Sequence, residues 1–311
     1  MIFFITGAKG FLGRHLSRQL GSINGNIVVG LGHGNWAQQE YSQWGLKDWV
    51  DGDISQANLN LLAERHGAPT SIFHLAGGSS VGPSLHDPLR DFERSVVSTA
   101  NVFNWIKCHS TSTSAILSSS AAVYGSGHSG AIIENAELNP YSPYGAHKRM
   151  CELTFETYAK SFNLKSIIIR FFSIYGPELR KQLLWDICTK LSTQENHLIL
   201  GGTGHELRDW LHVEDACRLL STAMQHASNS CPIVNGGTNH GTTVRSIAET
   251  IIDLWGSSSS LAFSGLSRPG DPPCLVADTS LSRAFGFEAS RELTHGLDEY
   301  VSWFKKELRN K

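Results

Sequence analysis

The sequence predicts an α/β fold: a doubly wound parallel sheet with helices on both faces and a smaller C-terminal lobe. In the first half of the 311-residue chain, short apolar runs alternate with longer amphipathic stretches, which is typical of βαβ units. The run Ile167–Ile169 is wholly apolar, as expected for a parallel strand buried on both faces. After Phe172 the alternation stops, because Gly176-Pro177 marks a turn and Gly201–Gly204 a loop.

The elements of the sheet domain follow from these runs in chain order. Short apolar runs bounded by glycine or polar residues predict strands at Ile2–Thr6, Ile27–Leu31, Trp49–Gly52, Ser71–Leu75, Ala115–Ser119 and Ser166–Phe171. The amphipathic stretches between them predict helices at Phe11–Leu20, Ala57–Arg65, Pro88–Lys107 and Ser142–Ser161.

The second half of the chain predicts the smaller lobe. Helices are expected at Gln182–Leu191, His212–His226 and Thr242–Trp255, and a strand at Pro232–Asn235. We assign residues 1–172 to the sheet domain and residues 173–311 mainly to the lobe, with segments near 210–240 returning to the sheet. A ligand should bind in the crevice between them, at the carboxyl ends of the parallel strands.

The composition argues against several classes of function. The net charge of −2 and the lack of a basic stripe exclude a nucleic-acid partner. No apolar run approaches the ~18 residues of a membrane span, and Met1–Ile5 is too short for a secretory signal. The six cysteines are scattered, which predicts reduced thiols in a cytoplasmic protein. The histidines lack metal-ligand spacing, so no metal site is expected.

A glycine-rich turn follows the first predicted strand. Gly7, Gly10 and Gly13 have the spacing Gly-x-x-Gly-x-x-Gly, with Phe11 and Leu12 at the start of the next helix. Glycine permits the tight turn and the close approach of a pyrophosphate, which would face the N–H groups of the helix N-terminus. Ordinary βα turns can share this spacing. Its position after the first strand of a βαβ series nevertheless predicts a Rossmann-type dinucleotide-binding domain.

The choice between NAD and NADP stays open at the end of the second strand. An acid there would bind the adenosine ribose of NAD, but the chain has Gly32, His33 and Gly34. His33 could face a 2′-phosphate, although no arginine accompanies it. After the third strand, Asp53 and Ile54 are expected to flank the adenine. Alternatively, Asp53 or Ser55 caps the next helix.

Ser120, Tyr144 and Lys148 are the candidate catalytic residues. Tyr144 alone among the seven tyrosines has a lysine four residues later, and on a helix the two side chains share a face. A lysine cation favours the ionised form of a neighbouring phenol, which can then act as a base near neutral pH. Ser120, just beyond the fifth predicted strand, would hydrogen-bond the reacting oxygen. Alternatively, the tyrosine and lysine only decorate the start of a helix, which the nearby glycine turn makes the weaker interpretation.

With these residues the chain resembles the extended short-chain dehydrogenase/reductase family, in particular its nucleotide-sugar epimerase/dehydratase branch, as in UDP-glucose 4-epimerase. The resemblance covers nearly the whole chain. It rests on several motifs in the family's order: Thr6–Gly13, Phe73–Gly77, the Ser120, Tyr144 and Lys148 triad, Arg170–Pro177, Arg208–Asp215 and Arg268–Asp271.

The resemblance implies further binding residues. Besides the glycine turn, Asp53 and Ile54, NAD or NADP would contact Leu75, Ala76, Gly77, Tyr144, Lys148 and Phe171. A nucleotide-diphosphate sugar would contact Ser79, Ser120, Ser173, Arg180, Arg208, Arg268 and Asp271. Its diphosphate needs cations, and a guanidinium can grip it in bidentate fashion, so Arg208 and Arg268 should face it. Either Arg180 or Lys181 could add a further cation.

Several positions depart from the family pattern. Members that dehydrate at C4–C6 usually carry Asp-Glu after the catalytic hydroxyl, where this chain has Ala121 and Ala122. This argues against 4,6-dehydratase chemistry. Ser79 replaces a lysine that often touches the cofactor pyrophosphate, and Ser95 and Ser173 stand where asparagine is common. These changes weaken the match to a standard UDP-galactose epimerase.

The leading functional hypothesis is epimerisation by reversible hydride transfer at C4 of a nucleotide-activated hexose. The second hypothesis is an NAD(P)H-dependent 4-keto-sugar reductase, which would use the same triad once per turnover. The third is a non-enzymatic NAD(P) sensor, against which the intact triad argues. Apolar positions on more than one face of Pro88–Lys107 and Ser142–Ser161 also predict a homodimer formed through these helices, as the resemblance implies.

Overall fold

A large parallel sheet forms the centre of the molecule. The computed structural model describes residues 1–193, 196–266 and 271–309, and within them seven strands form this sheet. They are β1 to β5, β7 and β11, at Ile2–Thr6, Ile27–Gly32, Asp48–Asp51, Ser71–His74, Ser114–Ser120, Ser166–Phe171 and Ile233–Gly236. The order β11-β7-β5-β4-β1-β2-β3, with every pairing parallel, confirms the predicted doubly wound α/β fold.

Helices cover both faces of this sheet. The described helices, α1 to α12 in chain order, are Phe11–Gly21, Gln38–Gln43, Gln56–His66, Val81–His86, Pro88–Phe92, Ser98–His109, Pro143–Phe162, Gln182–Ser192, Val213–Met224, Val244–Trp255, Ser280–Ala284 and Leu293–Arg309. Leu16 of α1 and Leu220 of α9 are buried on one face. Leu62 of α3, Phe103 of α6 and Phe155 of α7 are buried on the other. Because helices cover both faces of the sheet, a ligand is expected to bind at the carboxyl ends of the strands.

The C-terminal lobe has its own small sheets. One contains β6, β8, β10, β12 and β14, at Ala131–Ile132, Ser173–Tyr175, Leu207–His212, Gly241–Thr243 and Cys274–Ala277. Another pairs β9 with β13, at His197–Leu200 and Ser260–Phe263. Helices α8, α10 and α12 share a core that includes Ile187, Ile251 and Tyr300. Between these segments, β11 leaves the lobe and pairs with β7 of the large sheet.

The helix expected at Pro88–Lys107 is present, but a π-helical turn interrupts its α-helical hydrogen bonding in the middle. Helix α5 ends at Phe92, a π-helical turn spans Glu93–Val97, and α6 begins at Ser98. Ser98 Oγ donates to the carbonyl of Arg94 at 2.6 Å, so side-chain hydroxyls satisfy carbonyl oxygens around the widened turn. The short helices α2 and α4 were not expected, because six residues carry too little apolar periodicity to reveal them.

Three general features bear on function. Within the described residues, no helix is both long and apolar enough to cross a membrane. Likewise, no group of three or more His, Cys, Asp or Glu side chains in this part of the chain is arranged to hold a metal ion. All six cysteines are free thiols, and only Cys108 is exposed.

Candidate active site

A cleft of about 2200 Å³ lies at the carboxyl ends of the parallel strands, between the large sheet and the C-terminal lobe. Arg268 lies outside the described residues. All the other site residues expected from the sequence line the cleft: Gly7, Gly10, Phe11, Leu12, Gly13, Asp53, Ile54, Leu75, Ala76, Gly77, Ser79, Ser120, Tyr144, Lys148, Phe171, Ser173, Arg180, Arg208 and Asp271. The fold therefore brings distant parts of the chain to one site.

The glycine turn after β1 is shaped to approach an anion closely. Gly7 has φ +73°, a conformation that other residues rarely adopt, and a Cβ at Gly13 would lie 2.3 Å from the Gly7 carbonyl oxygen. Gly10 is the N-cap of α1 and offers no side chain to cap the helix. The first N–H groups of α1 therefore remain available at the cleft, where the helix dipole favours negative charge.

The end of the cleft beside β2 and β3 has a mixed charge. His33 Nε2 lies 3.1 Å from an oxygen of Asp53, and both side chains are exposed. Ser55, not Asp53, caps α3 by accepting a hydrogen bond from the backbone N–H of Asn58. Lys9, which sequence reasoning missed, lines this end and donates to the Asn35 carbonyl. The sequence feature that could have identified Lys9 is its position within the glycine turn, between Gly7 and Gly10.

A buried histidine joins the strand ends that border the cleft. His74 Nδ1 lies 2.7 Å from Thr6 Oγ1, and His74 Nε2 lies 3.0 Å from Thr99 Oγ1. Burial, with a smaller contribution from the Lys148 cation, lowers the pKa of His74 to about 3, so the imidazole is neutral at physiological pH. Thr6 Oγ1 also accepts a hydrogen bond from the Ala76 N–H at 3.3 Å. This network fixes the ends of β1, β4 and α6 relative to one another.

The three candidate catalytic residues line the same cleft. Ser120 ends β5, while Tyr144 and Lys148 lie in the first two turns of α7. Lys148 Nζ lies 5.9 Å from the Tyr144 ring centroid and donates to the Ser118 carbonyl at 3.0 Å. Lys148 is buried, whereas Tyr144 and Ser120 are half-buried and accessible from the cleft. A phenol, a cation and a hydroxyl can thus act on one bound alcohol or ketone.

Two serines hold the helix start that carries Tyr144. Ser142 is the N-cap of α7 and accepts from the Gly145 N–H at 3.2 Å. Ser84, which is fully buried, accepts from the Tyr144 N–H at 3.0 Å and donates to the Val81 carbonyl at 2.7 Å. The contact fixes α4 against the catalytic helix. Sequence reasoning missed Ser84 because it lies far from Tyr144 along the chain.

A buried ion pair anchors α7 to the sheet one turn after Lys148. Arg170 donates from Nε and Nη2 to both carboxylate oxygens of Glu152, each at 2.9 Å. Ser119, beside the catalytic serine, donates to Glu152 at 2.6 Å. Although burial alone would lower it, the hydrogen bonds and charge of Glu152 raise the pKa of Arg170. The sequence signal was an arginine inside an apolar strand, which implies a buried acidic partner.

A second buried pair joins α7 to α5. Its members are His147, which lies between Tyr144 and Lys148 on α7, and Asp91 on α5. His147 Nδ1 lies 2.6 Å from Asp91 Oδ2, and both side chains are nearly inaccessible. The backbone of Gly78 packs against this carboxylate, since a Cβ there would lie 1.9 Å from Asp91 Oδ1. The pair therefore joins α7 and α5 to the loop after β4. Sequence reasoning assigned a role to neither residue, although His147 lies within the segment that carries Tyr144 and Lys148.

Arg208 stands at the lobe end of the cleft. It lies on β10 and donates to the Leu207 carbonyl at 2.8 Å. Burial lowers the pKa of Arg208, and the nearby carboxylate of Asp271 partly opposes that shift. Tyr141 Oη donates to Asp271 at 3.2 Å. A guanidinium in this half-buried position can bind an anionic ligand strongly.

The two remaining expected cations differ in their surroundings. Arg180 forms ion pairs with Glu178 at 3.3 Å and with Glu307 at 2.5 Å, which already compensate its charge. Lys181 Nζ donates to the Ser79 carbonyl at 3.4 Å. Within the described part of the chain, no carboxylate is paired with Lys181. Of the two, Lys181 is the better placed to receive an anion.

Comparison with known proteins gives a consistent result. A family model described as "NAD dependent epimerase/dehydratase family" matches residues 3–237. A UDP-glucose 4-epimerase from Azospirillum brasilense is 28% identical over 88% of this chain and 82% of its own. The region matched by the family model includes the glycine turn, the three candidate catalytic residues and Arg208.

Solved structures share the whole fold. MoeE5, determined in complex with UDP-glucuronic acid and NAD, superimposes with a TM-score of 0.87 and is 26% identical, covering 99% of this chain and 100% of its own. A UDP-glucose 4-epimerase from Thermotoga maritima, determined with UDP-glucose, gives a TM-score of 0.89 at 24% identity over 99% and 100% of the two chains. The likeness of this second structure concerns the fold alone.

Proposed function

Since this chain belongs to the NAD dependent epimerase/dehydratase family, we propose that it is a nucleotide-sugar epimerase acting by reversible hydride transfer at C4 of an NDP-hexose. The observation that carries the proposal is the meeting of Ser120, Tyr144 and Lys148 with the glycine turn in one cleft. A phenol beside a cation can exchange a proton with a sugar hydroxyl. The glycine turn can hold a dinucleotide close by.

The cofactor of this family is NAD, and the cleft has features that suit the diphosphate of this dinucleotide. The uncapped N-terminus of α1 and the close-packed glycines Gly7 and Gly13 leave room and N–H donors for a diphosphate. When bound, the nicotinamide accepts a hydride from the sugar and gives it back. Leu75, Ala76 and Phe171 line the cleft at the ends of β4 and β7, where they can shield the reacting groups from water.

Each catalytic residue has a distinct part in the proposed reaction. Tyr144 takes the proton from the C4 hydroxyl as the carbonyl forms and returns it when the carbonyl is reduced. Lys148, held by the Ser118 carbonyl, places a positive charge beside the Tyr144 ring. Ser120 donates a hydrogen bond to the C4 oxygen, stabilising the charge that develops there. The keto sugar must turn over between the two half-reactions, so that the hydride returns to its other face.

We assign the nucleotide sugar to the lobe side of the cleft. Arg208 would hold its diphosphate, with Arg268 as a second guanidinium from the family motif. Ser79, Ser173 and Asp271 would contact the rest of the ligand. Arg180 contributes less to this assignment because two carboxylates already compensate its charge.

The residues after the catalytic serine restrict the chemistry. Ala121 and Ala122 follow Ser120 in a short 3₁₀ turn and line the cleft. Elimination of water across C5–C6 requires an acid and a base at the sugar, and neither alanine can serve as one. We therefore favour epimerisation over 4,6-dehydration for this chain.

A 4-keto-sugar reductase is the second candidate function. It is favoured by the end of β2, where Gly32 supplies no acid for an NAD ribose while Lys9 and His33 line the same end of the cleft. A reductase uses the triad once and must exchange its cofactor in every turnover. An epimerase must retain its cofactor until the hydride returns to the same sugar.

The experiment that tests the proposal combines cofactor analysis with a substrate panel. Purified protein is denatured and the released nucleotide quantified, and intact protein is mixed with UDP-, GDP- and dTDP-hexoses while products are followed by NMR. We expect bound NAD and a C4 epimer of one sugar nucleotide. Empty protein that steadily oxidises NADPH with a 4-keto sugar would establish the reductase instead.

We further propose that the protein is a homodimer. Five large apolar side chains on α4, α5 and α7 are exposed outside the cleft: Leu85, Leu89, Met150, Leu153 and Phe162. By contrast, Phe103 and Phe155 on the inward sides of α6 and α7 are fully buried in the core. Helices α4 and α5 pack beside α7, so their exposed side chains extend the surface of that helix. A second copy of the chain would cover it.

The Leu153→Glu variant tests this dimer. A carboxylate in an apolar interface is costly to desolvate, so we expect the variant to sediment mainly as monomer where the wild type is dimeric. The matched control is Leu308→Glu, which changes an exposed leucine on α12 at a distance from α7. A wild-type protein that is monomeric at micromolar concentration would contradict the proposal.

A further inference from the structure

The segment Gly176–Gln182, here called the strap, joins β8 to α8 in the lobe and packs against elements of the sheet domain. Near its start, the Pro177 carbonyl lies 3.0 Å from His15 Nε2 on α1, and Glu178 pairs with Arg14 on α1 at 2.8 Å. Towards its end, the Lys181 ammonium donates to the Ser79 carbonyl in the loop after β4. The strap therefore touches both α1 and the β4 loop.

These two contacts place the strap above the glycine turn. Strands β1 and β4 are neighbours in the sheet, and Thr6 at the end of one pairs with His74 at the end of the other. The loops that follow them also touch, because a Cβ at Gly7 would lie 2.9 Å from the Ala76 nitrogen. The strap therefore contacts elements on both sides of the groove between these loops, and it lines the same cleft as Gly7 and Gly77.

The strap is held in an unfavourable backbone conformation. Glu178 has φ +75° and Gln182 has φ +65°, values in the left-handed region that non-glycine residues seldom occupy. Besides the contacts with α1, Tyr300 donates to the Leu179 carbonyl at 2.7 Å, and Trp303 donates to Glu178 at 3.2 Å. Such strain persists only where surrounding contacts over-determine it, and it is concentrated at ligand-binding sites.

Lys181 is the charged group that the strap brings to this groove. Its side chain lines the cleft and is partly buried. Burial lowers the pKa of Lys181, and the neighbouring Lys148 cation lowers it further. Among residues 1–193, 196–266 and 271–309, no carboxylate compensates this charge. Enclosing a cation next to another cation is costly unless an anion joins them.

We propose that Lys181 is a binding residue for the diphosphate of the dinucleotide cofactor, supplied across the cleft by the C-terminal lobe. The proposal rests on the NAD-dependent function above. The glycine turn provides N–H groups on one side of the diphosphate, and the strap provides a cation on the other. Arg208, which lies near Asp271 at the lobe end of the cleft, is then the residue that binds the diphosphate of the nucleotide sugar. The diphosphate of the nucleotide sugar is the alternative anion for Lys181, and the experiment distinguishes it from the diphosphate of the cofactor.

The test measures ligand affinity rather than turnover. NAD is removed from the wild type and from Lys181→Ala, and the dissociation constants of NAD and UDP are measured by titration calorimetry. We expect Lys181→Ala to weaken NAD binding by at least about tenfold and to change UDP binding less than about twofold. Lys181→Arg should retain most of the NAD affinity, because its charge is kept. Arg208→Ala should give the reverse pattern, with UDP weakened and NAD unchanged.

The matched control is Lys190→Ala on α8, whose ammonium pairs with Asp186 at 2.9 Å outside the groove. It should change neither constant. If Lys181→Ala does not fold, Lys181→Gln serves in its place, with the thermal midpoint as the check on folding. Unchanged NAD affinity in a folded variant overturns the proposal, whether or not UDP binding falls. These affinities can be measured even if no sugar nucleotide is epimerised, so failure of the proposed function is seen separately.

Discussion

Replacing Tyr144 by phenylalanine is expected to lower turnover by at least about 100-fold while NAD affinity changes little. The substitution removes only the hydroxyl that exchanges a proton with the substrate, and a positioned general acid or base contributes roughly 10²–10⁴-fold to rate. The ring, the neighbouring Lys148 and the contact from Ser84 to the Tyr144 backbone are kept. The measurement is the rate of epimer formation together with NAD retained after purification.

The control for this variant lies on the same helix. Tyr158 of α7 is partly buried against the core and does not line the cleft. Tyr158→Phe should therefore keep wild-type turnover. If Tyr144→Phe also turns over at the wild-type rate, Tyr144 has no part in proton transfer, and the assignment of the catalytic group fails.

The largest expected effect on stability comes from the buried pair of Glu152 and Arg170. Glu152→Gln keeps the shape of the side chain but leaves the Arg170 guanidinium buried without a counter-charge. Breaking such a pair costs about 3–5 kcal/mol of unfolding free energy, because the remaining charge stays desolvated. We expect a correspondingly lower midpoint in guanidinium denaturation. NAD release at moderate denaturant should increase in parallel, since Glu152 anchors the helix that carries Lys148.

Arg149 provides the comparison for this effect. It also pairs with Glu152, at 3.1 Å, and with Glu156, at 2.8 Å, but its side chain is partly exposed. Arg149→Gln should cost only about 0–1 kcal/mol, because solvent screens the pair. If both variants lost equally little stability, the Glu152–Arg170 pair would not be the anchor of α7.

Sequence reasoning succeeded where the determining interactions are local. The glycine turn, its strand and its helix lie within Ile2–Gly21, so residue spacing alone indicated their conformation. The Tyr144–Lys148 pair is likewise set by one helical turn. The parallel sheet was evident because strands buried on both faces read as continuous apolar runs.

The features that sequence reasoning missed depend on contacts between distant segments. Arg180 was expected to reach a diphosphate, but the fold brings Glu307 from the last helix to its guanidinium. Ser84 and Tyr144 meet only because α4 packs against α7. The π turn at Glu93–Val97 packs against α7, and its Ser95 Oγ accepts a hydrogen bond from the Gly78 N–H at 2.8 Å, contacts that periodicity does not encode. In each case a partner remote in sequence decides the local outcome.

The most direct test of the account is the fate of deuterium placed at C4 of the sugar. NDP-hexoses carrying deuterium at C4 are incubated with the purified protein, and products are followed by NMR. Hydride transfer to bound NAD and back predicts a C4 epimer that keeps its deuterium, with no net reduction of cofactor in solution. An epimer whose deuterium has exchanged with solvent, or the absence of any epimer together with steady NADPH consumption by a 4-keto sugar, would contradict the account.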